Sequence, residues 1–200
     1  MKTYILIGGI GSGKSTVSKL FQELGMRSLD LDDVGHEILH DPDVKADLAA
    51  TFGEDILGDD GEVKRRVLAG RAFANPADTI RLNSITHPRV LARALEYLAE
   101  FEEEGTELAM VEISAYDGPA GTFAPIDRIS EGVIAVTCPT RLRLERAAAK
   151  GYDVEDVKNR IARQVKDEQR ALWAKHVISN KGTFEELDEH VKQVWAQISA

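Results

Sequence analysis

The stretch ILIGGIGSGKSTV, residues 5–17, joins an apolar run directly to a glycine-rich turn. From Gly8 to Ser15 it satisfies G-x-x-x-x-G-K-[S/T], the phosphate-binding loop that connects a strand to a helix. Glycines let successive backbone N–H groups converge on one anion, and the following helix directs its positive end there. We expect Lys14, as an exposed charge, to reach the β- and γ-phosphates, and the Ser15 hydroxyl to ligate Mg²⁺. The stretch therefore predicts a nucleoside-triphosphate site. The dinucleotide pattern G-x-G-x-x-G fails, because Lys14 occupies its third glycine position.

Short apolar runs alternate with longer helical patterns along the chain. The strand candidates are residues 3–8, 27–31, 108–114, 132–138 and 176–180. The helical patterns cover residues 15–24, 34–50, 63–74, 77–104, 140–150, 154–174 and 184–198. The centres of the strand candidates are apolar without alternation, so we expect helices on both faces of the sheet. This order predicts a single α/β domain over residues 1–200, with a mainly parallel sheet.

The second and third strand candidates are separated by residues 32–107, far more than a parallel crossover needs. Most of this stretch has a helical pattern. We therefore predict a helical insertion over residues 34–105 that covers one end of the sheet and contributes a substrate site.

Composition narrows the classes of function. The net charge of −9 argues against a general nucleic-acid or membrane-surface binder. The single cysteine, Cys138, allows no internal disulfide and favours a reducing compartment. The first residues meet glycine too early for a signal peptide, and no apolar run approaches the roughly 18 residues of a membrane span. We expect a cytoplasmic protein without nucleic-acid or membrane partners, monomeric or at most weakly oligomeric.

An acidic cluster, LDLDD, ends the second strand candidate. Ligands of parallel sheets bind at the carboxyl ends of the strands, so Asp30, Asp32 and Asp33 are expected at the site. Asp30 and Asp32 would point the same way if both lay on the strand. A carboxylate here can take a proton from an acceptor hydroxyl, or hold Mg²⁺ through water. The alternative is that Asp32 caps the next helix.

Positive charge is concentrated in residues 141–175, which contain ten Lys and Arg against six Asp and Glu. Arg143, Arg146 and Lys150 are spaced to share one helical face. Arginines on a hinged pair of helices suit a lid, residues 140–175, that closes over phosphates. The alternative is an ordinary solvated helix face.

With these features, the chain resembles the dephospho-coenzyme A kinase family over nearly its full length. The matching stretches, in order, are GGIGSGKSTV, GMRSLDLDDVGHEIL, FGEDILGDDGEVKRRVLAGRAFANP, LNSITHP, RIARQ and HVISNKGTFEELDEHV. Many families share the loop, whereas the ordered set is far more specific. The resemblance implies a P-loop NTPase-like fold of five parallel strands flanked by helices, with an inserted helical acceptor-binding lobe and a helical lid.

The same resemblance implies an ATP-dependent phosphotransferase that uses Mg²⁺. It would move the γ-phosphate of ATP to the ribose 3′-hydroxyl of dephospho-coenzyme A, the last step of coenzyme A synthesis. The implied catalytic residues are Lys14, Asp32 as base, and Arg146 as a phosphate-facing lid arginine; Ser15 and Asp32 are the implied metal-side residues. The implied ATP-binding run is Gly11, Ser12, Gly13, Lys14, Ser15 and Thr16. Other family-patterned positions, with less defined roles, are Arg66, Phe73, His87 and Arg160.

Two positions and one longer stretch depart from the family pattern. Ile7 stands where the family has threonine, and Lys150 replaces a second lid arginine. The third strand reads MVEISAYDGPAGTF in place of a Pro-Leu-Leu-x-Glu-like motif. Within it, Glu112 fits either a metal-side acid of the Walker B kind or a strand-end charge. Because this strand adjoins the expected acceptor site, a kinase for another small hydroxyl acceptor, such as a nucleoside or nucleotide, remains the alternative.

A nucleotide-binding regulator without an acceptor is the third possibility. The stretch SNKG, residues 179–182, begins like the guanine-reading motif N-K-x-D but has Thr183 in place of the aspartate. We therefore expect Asn180 to lie in a loop against adenine. Glu186 gives Thr183 the spacing of a helix capping box.

Several other residues are interpreted structurally. We predict that Cys138 is a buried small side chain and that His87–Pro88 starts a helix. His36 and His40 have a metal-like spacing, but no further ligand follows them, so a surface position is expected.

Overall fold

The computed structural model describes every residue from Met1 to Ala200. Its strands are β1 (Lys2–Gly8), β2 (Arg27–Asp30), β3 (Leu108–Ile113), β4 (Gly132–Thr137) and β5 (His176–Ser179). All pairings are parallel, and the order across the sheet is β2-β3-β1-β4-β5. The predicted α/β class with a five-stranded parallel sheet is therefore confirmed.

Helices connect and cover the strands. They are α1 (Lys14–Glu23), α2 (Leu31–Glu37), α3 (Pro42–Phe52), α4 (Arg65–Ala72), α5 (Pro76–Glu103), α6 (Ala124–Ile129), α7 (Thr140–Ala149), α8 (Val154–Arg163), α9 (Asp167–Trp173) and α10 (Phe184–Ile198). The predicted capping box at the start of α10 is present, with Thr183 and Glu186 bonding each other's backbone N–H. None of the helices combines the length and the apolar character that crossing a membrane requires.

The central strand, β1, is buried from Thr3 to Gly8. Leu6 lies opposite Glu112 of β3 on one side and opposite Ile134 of β4 on the other. Covered faces explain why the strand sequences do not alternate. Because the strands are parallel, the glycine-rich loop leaves the same edge of the sheet as the segments that follow β2, β3, β4 and β5.

Two compact units divide the chain. One contains Met1–Asp30 and Leu98–Ala200, and the other contains Leu31–Tyr97. The first has its main core between the sheet, α1 and α10. The second has its own apolar cluster around Val44 and Leu48. The predicted insertion, 34–105, overlaps the second unit, and its role in acceptor binding stays a prediction.

Two predicted helices are broken. The pattern over 34–50 forms the end of α2, a 3-10 turn and α3, because the Asp41 carboxylate accepts from the Asp43 N–H at 2.8 Å and caps α3. The pattern over 154–174 forms two helices, α8 and α9. The break follows Arg163, because Gln164 lies outside the helix and its side chain accepts a hydrogen bond from the Ile10 N–H. The short helix α6 follows no pattern that we predicted.

Pro88 lies inside α5, so the prediction that His87–Pro88 starts a helix is wrong. The helix begins at Pro76, where the Asn75 side chain accepts from the Asp78 N–H at 2.9 Å. Proline removes one backbone donor from the helix interior. The adjacent turn carries an additional bond, since Arg89 donates to the Ile85 carbonyl at 2.8 Å.

Candidate active site

The glycine-rich loop ends at Gly13, which has a φ of 94°, and α1 begins at the next residue. Asn180 Nδ2 donates to the Ser12 carbonyl at 2.8 Å and fills the space that a Cβ on residue 13 would need. Glycine alone supplies both the positive φ and the space. No side chain caps α1, so its first backbone N–H groups remain available to an anion.

Lys14 is less exposed than we expected. Its side chain is 11% exposed, and its Nζ forms a 2.9 Å ion pair with Glu112 Oε2. The expectation of an exposed charge is wrong because β3 lies beside β1 and brings Glu112 to the start of α1. The loop lysine is therefore held in place within the protein.

Glu112 is 5% exposed. Its second oxygen accepts from the Ser28 hydroxyl at 3.0 Å and from the Ser18 hydroxyl. Glu112 is the last residue but one of β3, so it does lie at a strand end, but it is buried among one lysine and two hydroxyls rather than exposed to solvent. A metal-side role for Glu112 stays a prediction.

A pocket of about 540 Å³ opens beside the loop. Gly11, Gly13 and Thr16 form part of its wall, together with Arg146 and Asn180. The rest of the lining includes the charged residues Lys150, Asp156 and Arg160 and the apolar or aromatic residues Ala147, Tyr152, Val157, Phe184 and Leu187. The two aromatic rings are 63% and 58% exposed, respectively. A cavity that combines a few polar groups with apolar and aromatic side chains suits a nucleotide.

Arg146 is oriented from two directions. Its Nη2 donates to Asn180 Oδ1 at 3.1 Å, and its Nη1 donates to Cys138 Sγ at 3.3 Å. Asn180 thus links Arg146 to the Ser12 carbonyl of the loop. Cys138 is buried, as predicted, and burial raises the pKa of its thiol even though Arg146 lies near.

Asp32 belongs to the first turn of α2, because β2 ends at Asp30. The two carboxylates do not lie on one strand, so the condition under which they would point the same way is not met. Asp32 is exposed and is the second residue of the second compact unit, two residues after the end of β2. As the second residue of α2, it does not occupy the N-cap position.

The predicted basic face divides into two environments. Arg146 and Lys150 line the pocket, as does Arg160, which pairs with Asp156 at 2.9 Å. Arg143 is only 4% exposed and donates to the Ile10 carbonyl. Arg143 is therefore not on a phosphate-facing surface, contrary to prediction.

His36 and His40 are exposed, as predicted. His36 contacts Arg65, and His40 lies 2.7 Å from Glu62. They do not belong to a cluster of three or more metal-ligating side chains.

Sequence reasoning missed several residues of the site. Tyr152 and Phe184 supply its aromatic lining, while Gln164, Asp167 and Arg170 lie behind the loop. Gln164 and Phe184 lie in two of the stretches that resemble the family, RIARQ and HVISNKGTFEELDEHV, but no role was predicted for either residue. For Asp167 and Arg170, the local signal is their spacing of three residues on a helix.

The parallel sheet, the glycine-rich loop and the adjoining pocket define a P-loop protein of the small-molecule kinase type. The sequence model of a family described as "Dephospho-CoA kinase" matches residues 4–186. The chain belongs to the dephospho-CoA kinase family.

Individual members of this family and one solved structure are similar to this chain over nearly its full length. A dephospho-CoA kinase from Corynebacterium efficiens is 40% identical over 96% of this chain and 95% of its own length. One from Corynebacterium glutamicum is 38% identical over 96% of this chain and 97% of its own. The crystal structure of TT1252 from Thermus thermophilus matches with a TM-score of 0.83 and 29% identity, covering 100% of this chain and 98% of that one.

Proposed function

We propose that this protein transfers the γ-phosphate of ATP to the ribose 3′-hydroxyl of dephospho-coenzyme A and so produces coenzyme A. The observation that carries the proposal is the phosphate-binding loop, with Lys14 held by Glu112, in a chain of the dephospho-CoA kinase family. We propose further that the protein is cytoplasmic, that it is monomeric or at most weakly oligomeric, and that its partners are small molecules only.

The ATP phosphates would lie at Gly11–Thr16, against the uncapped start of α1. The adenine would occupy the apolar part of the pocket, between Tyr152 and Phe184. Both rings are exposed on the protein, so stacking on a base would remove apolar surface from water. Asn180 would contact the nucleotide from beside the loop.

Three side chains would act on the reacting groups. Lys14 would exchange Glu112 for the β- and γ-phosphates, and Arg146 would stabilise negative charge on the transferred group. Asp32 would accept the proton of the 3′-hydroxyl as its oxygen bonds to phosphorus and the bond to ADP breaks. These roles need no covalent intermediate on the protein.

The residues present fit a magnesium ion that arrives with ATP. The Ser15 hydroxyl is exposed at the first turn of α1, and the Ser12 hydroxyl is buried without a hydrogen-bond partner. Ser15 and Asp32 would hold the ion, since hard oxygen ligands are the ones that Mg²⁺ prefers. When bound, the ion neutralises charge on the phosphates.

The unit Leu31–Tyr97 would hold the acceptor. Its two most exposed large apolar residues are Phe73, at 64%, and Ile80, at 68% exposure. Such side chains can contact a pantetheine arm, and binding energy from this remote part of the acceptor raises the rate at the reacting hydroxyl.

An acceptor comparison tests the proposal. The protein is incubated with ATP and Mg²⁺ plus dephospho-coenzyme A, adenosine, a nucleoside monophosphate or no acceptor. ADP release is then followed, and the product is mapped by mass spectrometry. We expect dephospho-coenzyme A to react fastest and to gain its phosphate at the 3′-hydroxyl. Faster turnover of either smaller acceptor would instead identify a nucleoside or nucleotide kinase.

A further inference from the structure

Ile10, in the middle of the glycine-rich loop, is held through both of its backbone polar groups. Its N–H donates to Gln164 Oε1 at 2.9 Å, and its carbonyl accepts from Arg143 Nε at 2.6 Å. Arg143 Nη2 also donates to the same Gln164 oxygen at 3.2 Å. The three residues form a closed ring of hydrogen bonds, which we call the Ile10 clasp.

The charge of Arg143 is compensated although the side chain is buried. Asp167 Oδ1 lies 3.8 Å from Arg143 and 2.8 Å from Arg170, which is 3% exposed. Burial lowers the pKa of Arg143, and the Asp167 carboxylate opposes this shift. Asp167 is fixed in turn, because its second oxygen accepts from the Cys138 N–H at 2.9 Å. Asp167 and Arg170 thus help to fix the position of Arg143 in the clasp.

The glycine at position 9 of the loop is needed for this arrangement of arginines. A Cβ on Gly9 would collide with the Arg143 guanidinium and would lie 3.0 Å from Arg170 Nη1. The absence of a side chain at this position therefore lets the two buried arginines approach the loop backbone.

The two side chains of the clasp come from the segment predicted as a lid, residues 140–175. Arg143 lies on α7, and Gln164 directly follows α8. Gln164 can reach Ile10 because the helix stops before it, and α9 restarts only at Asp167. The break between α8 and α9 thus allows Gln164 to hold the loop at Ile10.

We propose that Gln164 and Arg143 are positioning residues that hold the phosphate-binding loop in its nucleotide-binding conformation. When a loop is competent only part of the time, its measured dissociation constant rises by the reciprocal of that fraction. Losing the clasp would therefore weaken nucleotide binding, whereas phosphoryl transfer from bound ATP would change little. The inference deepens the proposed function, but its binding test needs no acceptor.

Matched substitutions at Gln164 test the proposal. Gln164→Met keeps the length of the side chain but removes the acceptor oxygen, and Gln164→Glu keeps an acceptor for both the Ile10 N–H and Arg143. Lys158→Met, an exposed residue of α8 outside the pocket, is the control. The dissociation constant of ADP is measured by calorimetry, and the KM for ATP and kcat are measured with dephospho-coenzyme A.

We expect Gln164→Met to raise the dissociation constant of ADP and the KM for ATP about tenfold, equivalent to about 1.4 kcal/mol. Its kcat at saturating ATP should stay within threefold of the unchanged protein. Gln164→Glu and the control should bind ADP within threefold of the unchanged protein. Unchanged ADP binding by Gln164→Met, or equal weakening by Gln164→Glu, would overturn the proposal.

Amide hydrogen exchange in the unchanged protein gives a second test that does not depend on how a variant folds. The Ile10 N–H should exchange much more slowly than an unprotected amide, and exchange at the unprotected rate would overturn the clasp. If dephospho-coenzyme A is not phosphorylated but the variants bind ADP as expected, the proposed function fails while this inference stands.

Discussion

At the scale of single residues, Lys14 and Glu112 depend on each other. Their ion pair is largely buried, with side-chain exposures of 11% and 7%. Removing one member of a buried pair leaves the other charge uncompensated. A substitution of Lys14 will therefore affect stability as well as chemistry, and the two effects must be separated.

We expect Lys14→Met to lower turnover by roughly 10²-fold or more, the scale of losing one electrostatic stabiliser. The variant should also unfold more easily, by up to about 3–5 kcal/mol, because Glu112 loses its cation. The double variant Lys14→Met/Glu112→Gln should recover stability but not turnover. ADP release and urea unfolding measure the two effects, with exposed Lys19→Met as control. Turnover near that of the unchanged protein in Lys14→Met would remove the loop from the mechanism.

Asp32→Asn should reduce turnover by roughly 10²-fold or more, because the amide cannot accept the hydroxyl proton. Its ATP affinity should stay within several-fold of the unchanged protein. Steady-state kinetics and calorimetry check both statements. Asp33→Asn, the exposed neighbour in the same turn, is the matched control. Equal losses in the two variants would show that Asp32 has no special role.

Residue-level prediction succeeded where the information is local. The motif places Gly13, Lys14 and Ser15 at a strand-to-helix turn, because all three lie within one short stretch. Their partners could not be predicted in the same way. Glu112 is 98 positions from Lys14, and Gln164 is 154 positions from Ile10. Only the tertiary fold brings such pairs together.

At the scale of elements, propensity predicted helices but not their interruptions. The pattern over 154–174 is continuous in sequence, yet it breaks where Gln164 makes tertiary hydrogen bonds with the loop. At α3, by contrast, the break had a readable signal in Asp41–Pro42, an N-cap followed by proline. Tertiary contacts therefore explain one missed boundary and local chemistry explains the other.

The short helix α6 carries a pH-sensitive carboxylate, Asp127. Burial raises its pKa, nearby Asp117 raises it further, and the hydrogen bond from Tyr116, at 2.6 Å, lowers it. Because the pKa of Asp127 is higher in the folded protein, the protonated carboxyl stabilises the fold. This contribution to the free energy of unfolding is complete at a pH below the unfolded-state pKa of about 3.9, and it is lost as the pH rises through the folded-state pKa. Ionised Asp127 should consequently reduce stability at neutral pH.

We expect Asp127→Asn to gain stability relative to the unchanged protein as the pH rises from 4 to 7. The asparagine oxygen can still accept from Tyr116, but the side chain never ionises. Urea unfolding at each pH measures the difference, and exposed Asp59→Asn is the control. A difference that stays constant over this range would contradict the prediction.

At the scale of the whole molecule, the two compact units allow the two substrates to be assigned separately. ADP should slow amide hydrogen exchange in residues 8–18 and 177–187, which carry the loop and part of the pocket. Dephospho-coenzyme A should slow exchange within Leu31–Tyr97. Mass spectrometry of peptides after exchange, with each ligand alone, measures both effects. Protection by dephospho-coenzyme A confined to the other unit would refute an acceptor-binding role for these helices.

The central place of β1 in the sheet also has a consequence for biosynthesis. Its neighbours, β3 and β4, are Leu108–Ile113 and Gly132–Thr137, so the ribosome makes both of them much later. Because synthesis adds about 5–20 residues per second, roughly ten seconds pass between the synthesis of the apolar run YILI in β1 and that of its second neighbour, β4. An unpaired strand of this kind is prone to aggregate. The nascent chain should therefore need shielding by chaperones until β4 has emerged.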